Sequence, residues 1–155
     1  MIKLSKNGID LIKNFEGLRL NAYQDIAGVW TIGYGSTRYA DGARVKRGDK
    51  LANEAAALKL FKVTLQYYID AVNKGVKVVI TQNQFDALVS FTYNTGTGVM
   101  TNSTLIRKLN AGDYQYAADQ LLLWNKITDP ASGKKIISQT LTKRRGQERD
   151  LFLKA

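Results

Sequence analysis

The chain has 155 residues, about the size of one compact domain, and its 23 basic and 13 acidic side chains give a net charge of +10, which favours a polyanionic partner or substrate. It contains no His and no Cys, which excludes disulfides, zinc fingers, cysteine nucleophiles, Ser-His-Asp triads and metals held by His. If the protein is an enzyme, proton transfer near neutral pH must therefore fall to carboxylates, or less often to Lys or Tyr.

The first predicted helix ends at Glu16. Apolar side chains recur at helical spacing from Leu4 to Phe15, and Ser5 is suited to cap the N-terminus. Gly17 stands where a left-handed residue commonly ends a helix. Glu16 is therefore predicted to be the last helical residue.

The pattern changes to β over residues 20–36. A first strand through Tyr23 is followed by a turn at Ala27 and Gly28 and by a second strand over residues 29–35. Because strand side chains alternate, the second strand would carry one bulky face and one nearly bare face. The bulky residues are Trp30, Ile32 and Tyr34, and those of the bare face are Thr31, Gly33 and Gly35.

The rest of the chain is predicted to be mostly helical. Residues 38–49 are polar and basic and predict a short third strand and a loop. Residues 53–73 fit one helix of about 20 residues, about 30 Å long, which is enough to bridge two lobes. Thr81 and Gln84 form a capping-box pattern that opens a helix ending near residues 94–96. Three further helices are predicted over residues 103–110, 113–124 and 138–153, the last one after a turn at residues 129–133.

Together these elements predict an α+β architecture in a single domain, residues 1–155. A small N-terminal β lobe, about residues 17–52, is joined by the long helix, about residues 53–73, to a larger helical lobe of about residues 76–155, which also takes up the N-terminal helix 5–16. No apolar run approaches the roughly 18 residues of a membrane span, and the N-terminus lacks the pattern of a signal peptide. We therefore expect synthesis in the cytoplasm without an export signal of its own.

Two carboxylates near the β hairpin are suited to act as an acid and a base. Glu16 is predicted at the negative end of a helix dipole and among aromatic residues, which favours a protonated carboxyl. Asp25, at a glycine-containing turn, is expected to be more solvated and ionised. Such a pair is typical of the hydrolysis of an acetal bond. Thr31 could reach the same cavity, and the glycines on its face of the strand would leave room for a sugar ring. The aromatic residues are Phe15, Trp30 and Tyr34.

Each of the three residues also has an ordinary structural explanation. A Glu before a capping Gly is typical of a solvated helix end, an Asp at a turn commonly binds backbone N–H groups, and a Thr in a strand is common because of its β propensity. The residue pattern alone leaves both interpretations open.

Two runs of residues carry a longer signature. Residues 16–25, EGLRLNAYQD, and residues 28–37, GVWTIGYGST, resemble the patterns E-G-x-x-L-x-A-Y-x-D and G-x-x-T-I-G-Y-G-x-T of the phage lysozymes or endolysins of glycoside hydrolase family 24, of the T-even and lambdoid type. Shorter segments also resemble that family: FTYNTG at residues 91–96, STL at residues 103–105 and RRGQERDLF at residues 144–152. The resemblance covers about the whole chain and implies a lysozyme-like fold.

The resemblance implies a muramidase that hydrolyses the β-1,4 bond between N-acetylmuramic acid and N-acetylglucosamine in bacterial peptidoglycan, for host lysis and phage release. Glu16 would be the general acid that protonates the leaving oxygen. Asp25 would be the base, and Thr31 would help it to hold the attacking water, with inversion at the anomeric carbon. No cofactor or metal is expected, and no calcium-loop pattern is present.

The resemblance also implies roles for residues of the helical half. Arg144 would contact the catalytic Glu from the last helix, with Arg145 as the less favoured candidate, and the alternative is a solvated run of charge. Tyr93 would offer a stacking face to the sugar and Asn94 an amide for an N-acetyl or hydroxyl group, and the alternatives are a core aromatic and a helix C-cap. We expect Trp124 to pack in the core.

Two other functions compete with this one. A lytic transglycosylase cuts the same bond with one Glu and needs no base for water, so the presence of Asp25 and Thr31 argues against it. A cationic protein without enzyme activity would bind nucleic acid or an anionic membrane, but the chain carries no nucleic-acid-binding motif and we expect no nucleic acid partner. The basic residues concerned are Lys134, Lys135, Lys143, Arg144, Arg145 and Arg149.

The expected partner is the glycan strand of peptidoglycan, bound by a monomer. As a secondary property, the cationic C-terminal helix would contact an anionic membrane. The enzyme would accumulate in the host cytoplasm and act in the periplasm once a holin, another phage protein, has opened the inner membrane.

Overall fold

A computed structural model describes residues 1–155, and its elements confirm the predicted α+β class. The helices are α1 Lys6–Glu16, α2 Glu54–Gly75, α3 Gln82–Thr95, α4 Thr104–Asn110, α5 Tyr114–Leu121 and α6 Gln139–Leu153. The strands form two antiparallel hairpins and are β1 Arg19–Gln24, β2 Trp30–Gly33, β3 Lys126–Thr128 and β4 Lys135–Ile137. A short 3-10 helix, Thr97–Met100, follows α3.

The chain divides into two compact units. The β unit comprises Ile9–Tyr67, and the helical unit comprises Met1–Gly8 together with Tyr68–Ala155. The helical unit is therefore assembled from two stretches that are far apart in the sequence. The lobe boundaries predicted from the sequence stay a prediction.

The β unit is organised around the hairpin of β1 and β2. Tyr23 of β1 lies directly opposite Thr31 of β2 in the antiparallel ladder. The next residue of β2, Ile32, is fully buried and forms a small apolar core with Val45 and Leu60. The strand that carries Thr31 is thus anchored in the core of its unit.

The third strand predicted over residues 38–49 is wrong. Only isolated bridges form there, such as the one between Arg38 and Arg44. Gly42 and Gly48 adopt φ values of +85° and +88°, which reverse the chain and interrupt any extended run. The segment is therefore a loop with two tight turns.

A tyrosine–aspartate pair holds this loop together. The Tyr39 hydroxyl donates a hydrogen bond of 2.7 Å to Asp49, which also accepts from the backbone N–H of Lys46. Burial, and then the bond to the neighbouring carboxylate, raises the pKa of Tyr39 to about 12. The same bond lowers the pKa of Asp49. Side-chain hydrogen bonds thus replace strand pairing in this part of the unit.

Helix α2 confirms the prediction of one long helix after residue 53. The Asn53 side chain accepts a hydrogen bond from the Ala56 N–H at 2.9 Å, so it closes the first turn. The helix continues for 22 residues to Gly75, where an added Cβ would lie 2.5 Å from the Met100 carbonyl oxygen. None of the helices combines the length and the apolar character that crossing a bilayer requires.

Helix α3 forms the centre of the helical unit, and every residue from Phe85 to Tyr93 is buried. The predicted capping box is confirmed, because Thr81 accepts from the Gln84 N–H while the Gln84 side chain accepts from the Thr81 N–H. Helix α6 is its main packing partner. The other three predicted helices are confirmed as α4, α5 and α6, and each has a capping side chain, from Ser103, Asp113 and Ser138.

The second hairpin is not predicted by the sequence pattern. The turn expected at residues 129–133 is the tip of this hairpin, where the Asp129 N–H donates to the Lys134 carbonyl at 2.8 Å. Strands of three residues are too short to show an alternating pattern. The helix predicted over residues 113–124 also ends earlier, at Leu121.

The N-terminal residues are fastened to α3 through Asp86, which is fully buried. The Ser5 hydroxyl and backbone N–H both donate to its carboxylate, and Gln82 donates to it at 2.9 Å. Ser5 also accepts a hydrogen bond from the Gly8 N–H, which confirms it as the N-cap of α1. A single buried carboxylate thus connects the first residues of the chain to the centre of the helical unit.

We expect Gly8→Ala to lower the free energy of unfolding by about 1–3 kcal/mol, the usual cost of overfilling a packed site. An added Cβ would lie 2.6 Å from Leu4 Cδ1 and 2.8 Å from Asp86 Cγ. Gly146→Ala in α6 is the matched control, because its Cβ would meet nothing within 4 Å and should instead stabilise the protein by roughly 0.5–1 kcal/mol. Urea denaturation compares the two, and equal stabilisation would contradict the close approach at Gly8.

Candidate active site

Glu16 is placed by the end of α1. It is the last residue of the helix, and Gly17 follows with φ +69° while its N–H donates to the Lys13 carbonyl at 2.9 Å. This left-handed ending confirms the prediction made for Gly17. Glu16 is partly exposed and therefore accessible to a bound molecule.

Asp25 is placed by the tight turn between β1 and β2. Its Oδ1 accepts hydrogen bonds of 2.9 Å from the N–H groups of Ala27 and Val29. The turn is closed by Gly28, which has φ +82° and donates to the Asp25 carbonyl. The side chain is exposed, as expected from the sequence. Because Oδ1 accepts both hydrogen bonds of the turn, Oδ2 is the Asp25 oxygen that these bonds leave able to accept.

Thr31 is buried, with 5% of its surface exposed. Its hydroxyl donates a hydrogen bond of 2.9 Å to the Val29 carbonyl, within the same turn that holds Asp25. The hydroxyl proton is thus directed to the backbone, and the lone pairs of Oγ1 are left to accept. Asp25 and Thr31 are therefore fixed by one short backbone segment.

Tyr23 is affected by the charges of Glu16 and Asp25. Its pKa is raised first by burial and then by the negative charge of Glu16, and the charge of Asp25 raises it further. Both carboxylates therefore act on one phenol, which lies opposite Thr31 in the ladder. The Arg19 guanidinium, 4.4 Å from the centre of the Tyr23 ring, opposes these effects on the pKa. Glu16, Asp25 and Thr31 all belong to the β unit, where Val29 joins Asp25 to Thr31 through its N–H and its carbonyl.

The expectation that the strand face beside Thr31 is bare is wrong at Gly33. An added Cβ there would lie 3.4 Å from Leu51 Cδ1, so the face is covered by a side chain. Gly33 also has φ +68°, which ends the regular alternation of β2. Tyr34 follows this kink, and its hydroxyl donates to Glu54 at 2.9 Å while its ring packs 5.1 Å from Phe61. The room for a sugar ring is not made by Gly33.

Arg144 and Arg145 are buried in the helical unit, with 5% and 0% of their surface exposed, so the interpretation as a solvated run of charge is wrong. Both pair with Glu148, which is fully buried one turn further along α6. Ser90 of α3 donates to Glu148 at 2.5 Å, and Arg144 donates to the Ser90 carbonyl at 3.0 Å. The charged residues are thus part of the packing between α3 and α6.

Asn94 lies in the last turn of α3, exposed to solvent, and its Oδ1 accepts a hydrogen bond from Arg145. It is not the C-cap, because Gly96 occupies that position. Arg145 also donates to the Trp124 carbonyl at 2.8 Å. The Trp124 ring packs edge-on against Phe91, 5.6 Å between centroids, but 39% of the residue remains exposed, so the expected core position is only partly met.

Tyr93 is 8% exposed, and its ring lies 4.9 Å from that of Tyr68, which agrees with the alternative of a packed aromatic. Little of the Tyr93 ring is therefore accessible for the predicted stacking on a sugar. Sequence reasoning did not single out Tyr23 or Ser90. Tyr23 is inside the family signature, and a tyrosine two residues before the proposed base was the available signal.

Comparison with known proteins agrees with this architecture. The family model described as Phage lysozyme matches residues 13–148. The endolysin of Bacillus phage B103 is 46% identical over 154 residues, and this chain spans only 54% of that relative's length. Among solved structures, the endolysin from Escherichia coli O157:H7 phage FAHEc1 is 46% identical with a TM-score of 0.88, covering 98% of this chain and 94% of that one. The muramidase domain of SpmX from Asticaccaulis excentricus is 36% identical with a TM-score of 0.87, and each chain covers 100% of the other.

An α+β fold with a glutamate at the end of its first helix and an aspartate in the following hairpin turn is that of a lysozyme-like protein. The chain belongs to the phage lysozyme family. This membership confirms the resemblance carried by the motifs and the lysozyme-like fold. It also supports the expected function as a peptidoglycan-hydrolysing endolysin.

Proposed function

We propose that the chain is a muramidase that hydrolyses the β-1,4 bond between N-acetylmuramic acid and N-acetylglucosamine in peptidoglycan. Glu16 is the general acid, Asp25 the general base, and Thr31 helps to hold the water. The observation that supports this assignment is the turn in which Val29 donates its N–H to Asp25 and accepts from the Thr31 hydroxyl, a few residues after Glu16 at the end of α1. A carboxylate pair of this kind is what the hydrolysis of an acetal bond requires.

The proton transfers follow from the hydrogen bonds of the site. Glu16 donates its proton to the glycosidic oxygen as the bond to the anomeric carbon breaks. Asp25 Oδ1 is occupied by two backbone N–H groups, so Oδ2 takes the proton from the attacking water. The Thr31 hydroxyl donates to the backbone and accepts the second proton of that water as a hydrogen bond. The water then presents a lone pair to the anomeric carbon, and its attack from the opposite face inverts that centre.

The helical unit supplies the proposed contacts to the glycan. Asn94 is exposed and offers an amide to an N-acetyl or hydroxyl group. Tyr93 is assigned a stacking role there by the resemblance, although only 8% of the residue is exposed. Arg144 keeps the supporting role that the resemblance implies. No metal or cofactor takes part in these steps.

Product analysis tests this proposal against transglycosylation. Purified peptidoglycan digested with the protein should release fragments with reducing N-acetylmuramic acid ends, read by mass spectrometry. Proton NMR in the first minutes should show the α anomer, because inversion of a β bond gives it first. An anhydromuramic acid end would overturn hydrolysis, and an initial β anomer would overturn inversion.

The proposed site of action is the periplasm, reached from the host cytoplasm after a holin has opened the inner membrane, with the enzyme acting as a monomer. No nucleic acid partner is expected for this function. Contact of α6 with an anionic membrane would have to rely on Lys143 and nearby lysines, because Arg144 and Arg145 are buried and Arg149 pairs with Asp119 at 2.7 Å. Fractionation of expressing cells with and without a holin tests the location.

A further inference from the structure

We infer that Arg145 is a positioning residue that holds the Asn94 amide in one orientation, so that position 94 selects hydrogen-bond acceptors on the glycan. This inference rests on the proposed role of Asn94 in substrate binding. It extends that role to a residue that does not itself reach the surface, since Arg145 is fully buried.

The Arg145 guanidinium is held from several sides within the helical unit. Nε donates to the Trp124 carbonyl at 2.8 Å, Nη1 donates to Glu148, and Nη2 donates to Asn94 Oδ1. The central carbon of the guanidinium, Cζ, lies 5.0 Å from the centre of the Phe91 ring. The guanidinium is thus fixed by contacts with α3, α6 and the segment after α5. It cannot move to keep its hydrogen bond if the Asn94 amide rotates.

This arrangement decides which end of the Asn94 amide faces outward. A guanidinium has only donors, so the amide must turn its oxygen towards Arg145. The nitrogen, with its two N–H groups, then faces away from the buried guanidinium, and Asn94 is exposed at the end of α3. An unrestrained amide would offer either a donor or an acceptor by rotating, whereas this one keeps its oxygen turned towards Arg145 and presents its N–H donors outward.

The ligand group at this position must therefore be an acceptor. The acetamido carbonyl and the hydroxyl oxygens of an amino sugar both qualify. A ligand group that can only donate would face two N–H groups and find no partner. Fixing the amide before binding also removes part of the ordering cost of the complex.

Replacing Arg145 with Lys tests the positioning role, because Lys keeps the charge but loses the fork. Arg149→Lys on the same helix is the matched control, since Arg149 is partly exposed and pairs only with Asp119 among carboxylates. In wild type the side-chain amide signals of Asn94, assigned by their loss in Asn94→Ala, should be shifted from free-amide positions. In Arg145→Lys they should move to free-amide positions, while KM for peptidoglycan fragments rises roughly threefold to tenfold and kcat stays within about twofold. Arg149→Lys should change none of these.

Asn94→Asp provides a variant in which the fold should persist. A carboxylate still accepts from Arg145 but presents an acceptor instead of donors to the ligand. KM should rise as in Arg145→Lys, and the melting temperature should not fall. An unchanged KM in Asn94→Asp would overturn the selection of acceptors.

A double variant separates positioning from general damage. If Arg145 acts through Asn94, adding Arg145→Lys to Asn94→Ala should raise KM no further. The same fold increase in both backgrounds would overturn the inference. The amide signals need no activity, so loss of the proposed enzymatic function would not alter them, and amide signals that are identical in wild type and Arg145→Lys would refute the inference even in an active muramidase.

Discussion

Replacing Glu148 with Gln should lower the free energy of unfolding by roughly 3–5 kcal/mol, the usual cost of removing one partner from a buried ion pair. Glu148 is fully buried and is the carboxylate that both Arg144 and Arg145 bind. Gln has nearly the same shape and can still accept from Ser90, so the loss would reflect the removal of the negative charge that both buried arginines bind. Urea denaturation monitored by circular dichroism measures the change.

Asp119→Asn is the control for this prediction. It also removes a carboxylate that pairs with an arginine of α6, Arg149, but 51% of its side chain is exposed. Solvent already screens that pair, so stability should stay close to that of wild type. A similar loss of stability in both variants would show that the burial of Glu148 is not the reason for its contribution to the free energy of unfolding.

Glu16→Gln should reduce the rate of peptidoglycan hydrolysis by about 100-fold to 10,000-fold, the range over which a positioned general acid contributes. Gln keeps the size of Glu and its place at the end of α1 but has no proton to give to the leaving oxygen. Asp25→Asn should cause a loss within the same range, because it removes the oxygen that accepts the proton from water. The fall in turbidity of outer-membrane-permeabilised Gram-negative cells measures both rates.

Glu54→Gln provides the matched control, since it changes a carboxylate of the same unit that binds the Tyr34 hydroxyl. Its rate should stay near that of wild type. Lysis by Glu16→Gln at the wild-type rate would instead favour a cationic protein that acts without catalysis. Retained binding of each variant to insoluble peptidoglycan would show that the loss lies in the chemical step.

Features set by neighbouring residues are predictable from the sequence. The Ser5 cap, the Gly17 ending and the capping box at Thr81 each depend on a few consecutive residues, and all three are confirmed. The local pattern therefore suffices to place Glu16 at a helix end. Its role, and those of Asp25 and Thr31, come from the family signature, because the residue pattern alone leaves an ordinary structural explanation open for each of them.

Features set by distant residues are not predictable in this way. Arg144 and Arg145 resemble a solvated run because a sequence does not show that α3 brings Ser90 and Asn94 to cover them. The contact of Leu51 with the face of Gly33 is of the same kind, since it depends on how a loop returns to the hairpin. Packing between remote segments decides these positions, and local propensity carries no signal for it.

The link between Ser5 and Asp86 bears on how the protein is made. The ribosome synthesises Met1–Gly8 before the β unit, yet these residues belong to the unit completed by residues 68–155. The main partner of α3 is α6, whose last residue is Leu153. A nascent chain can therefore form the hairpin of the β unit early, whereas residues 1–8 must wait until α3 has left the ribosome before Gln82 and Asp86 are present, and α3 in turn waits for its main partner α6.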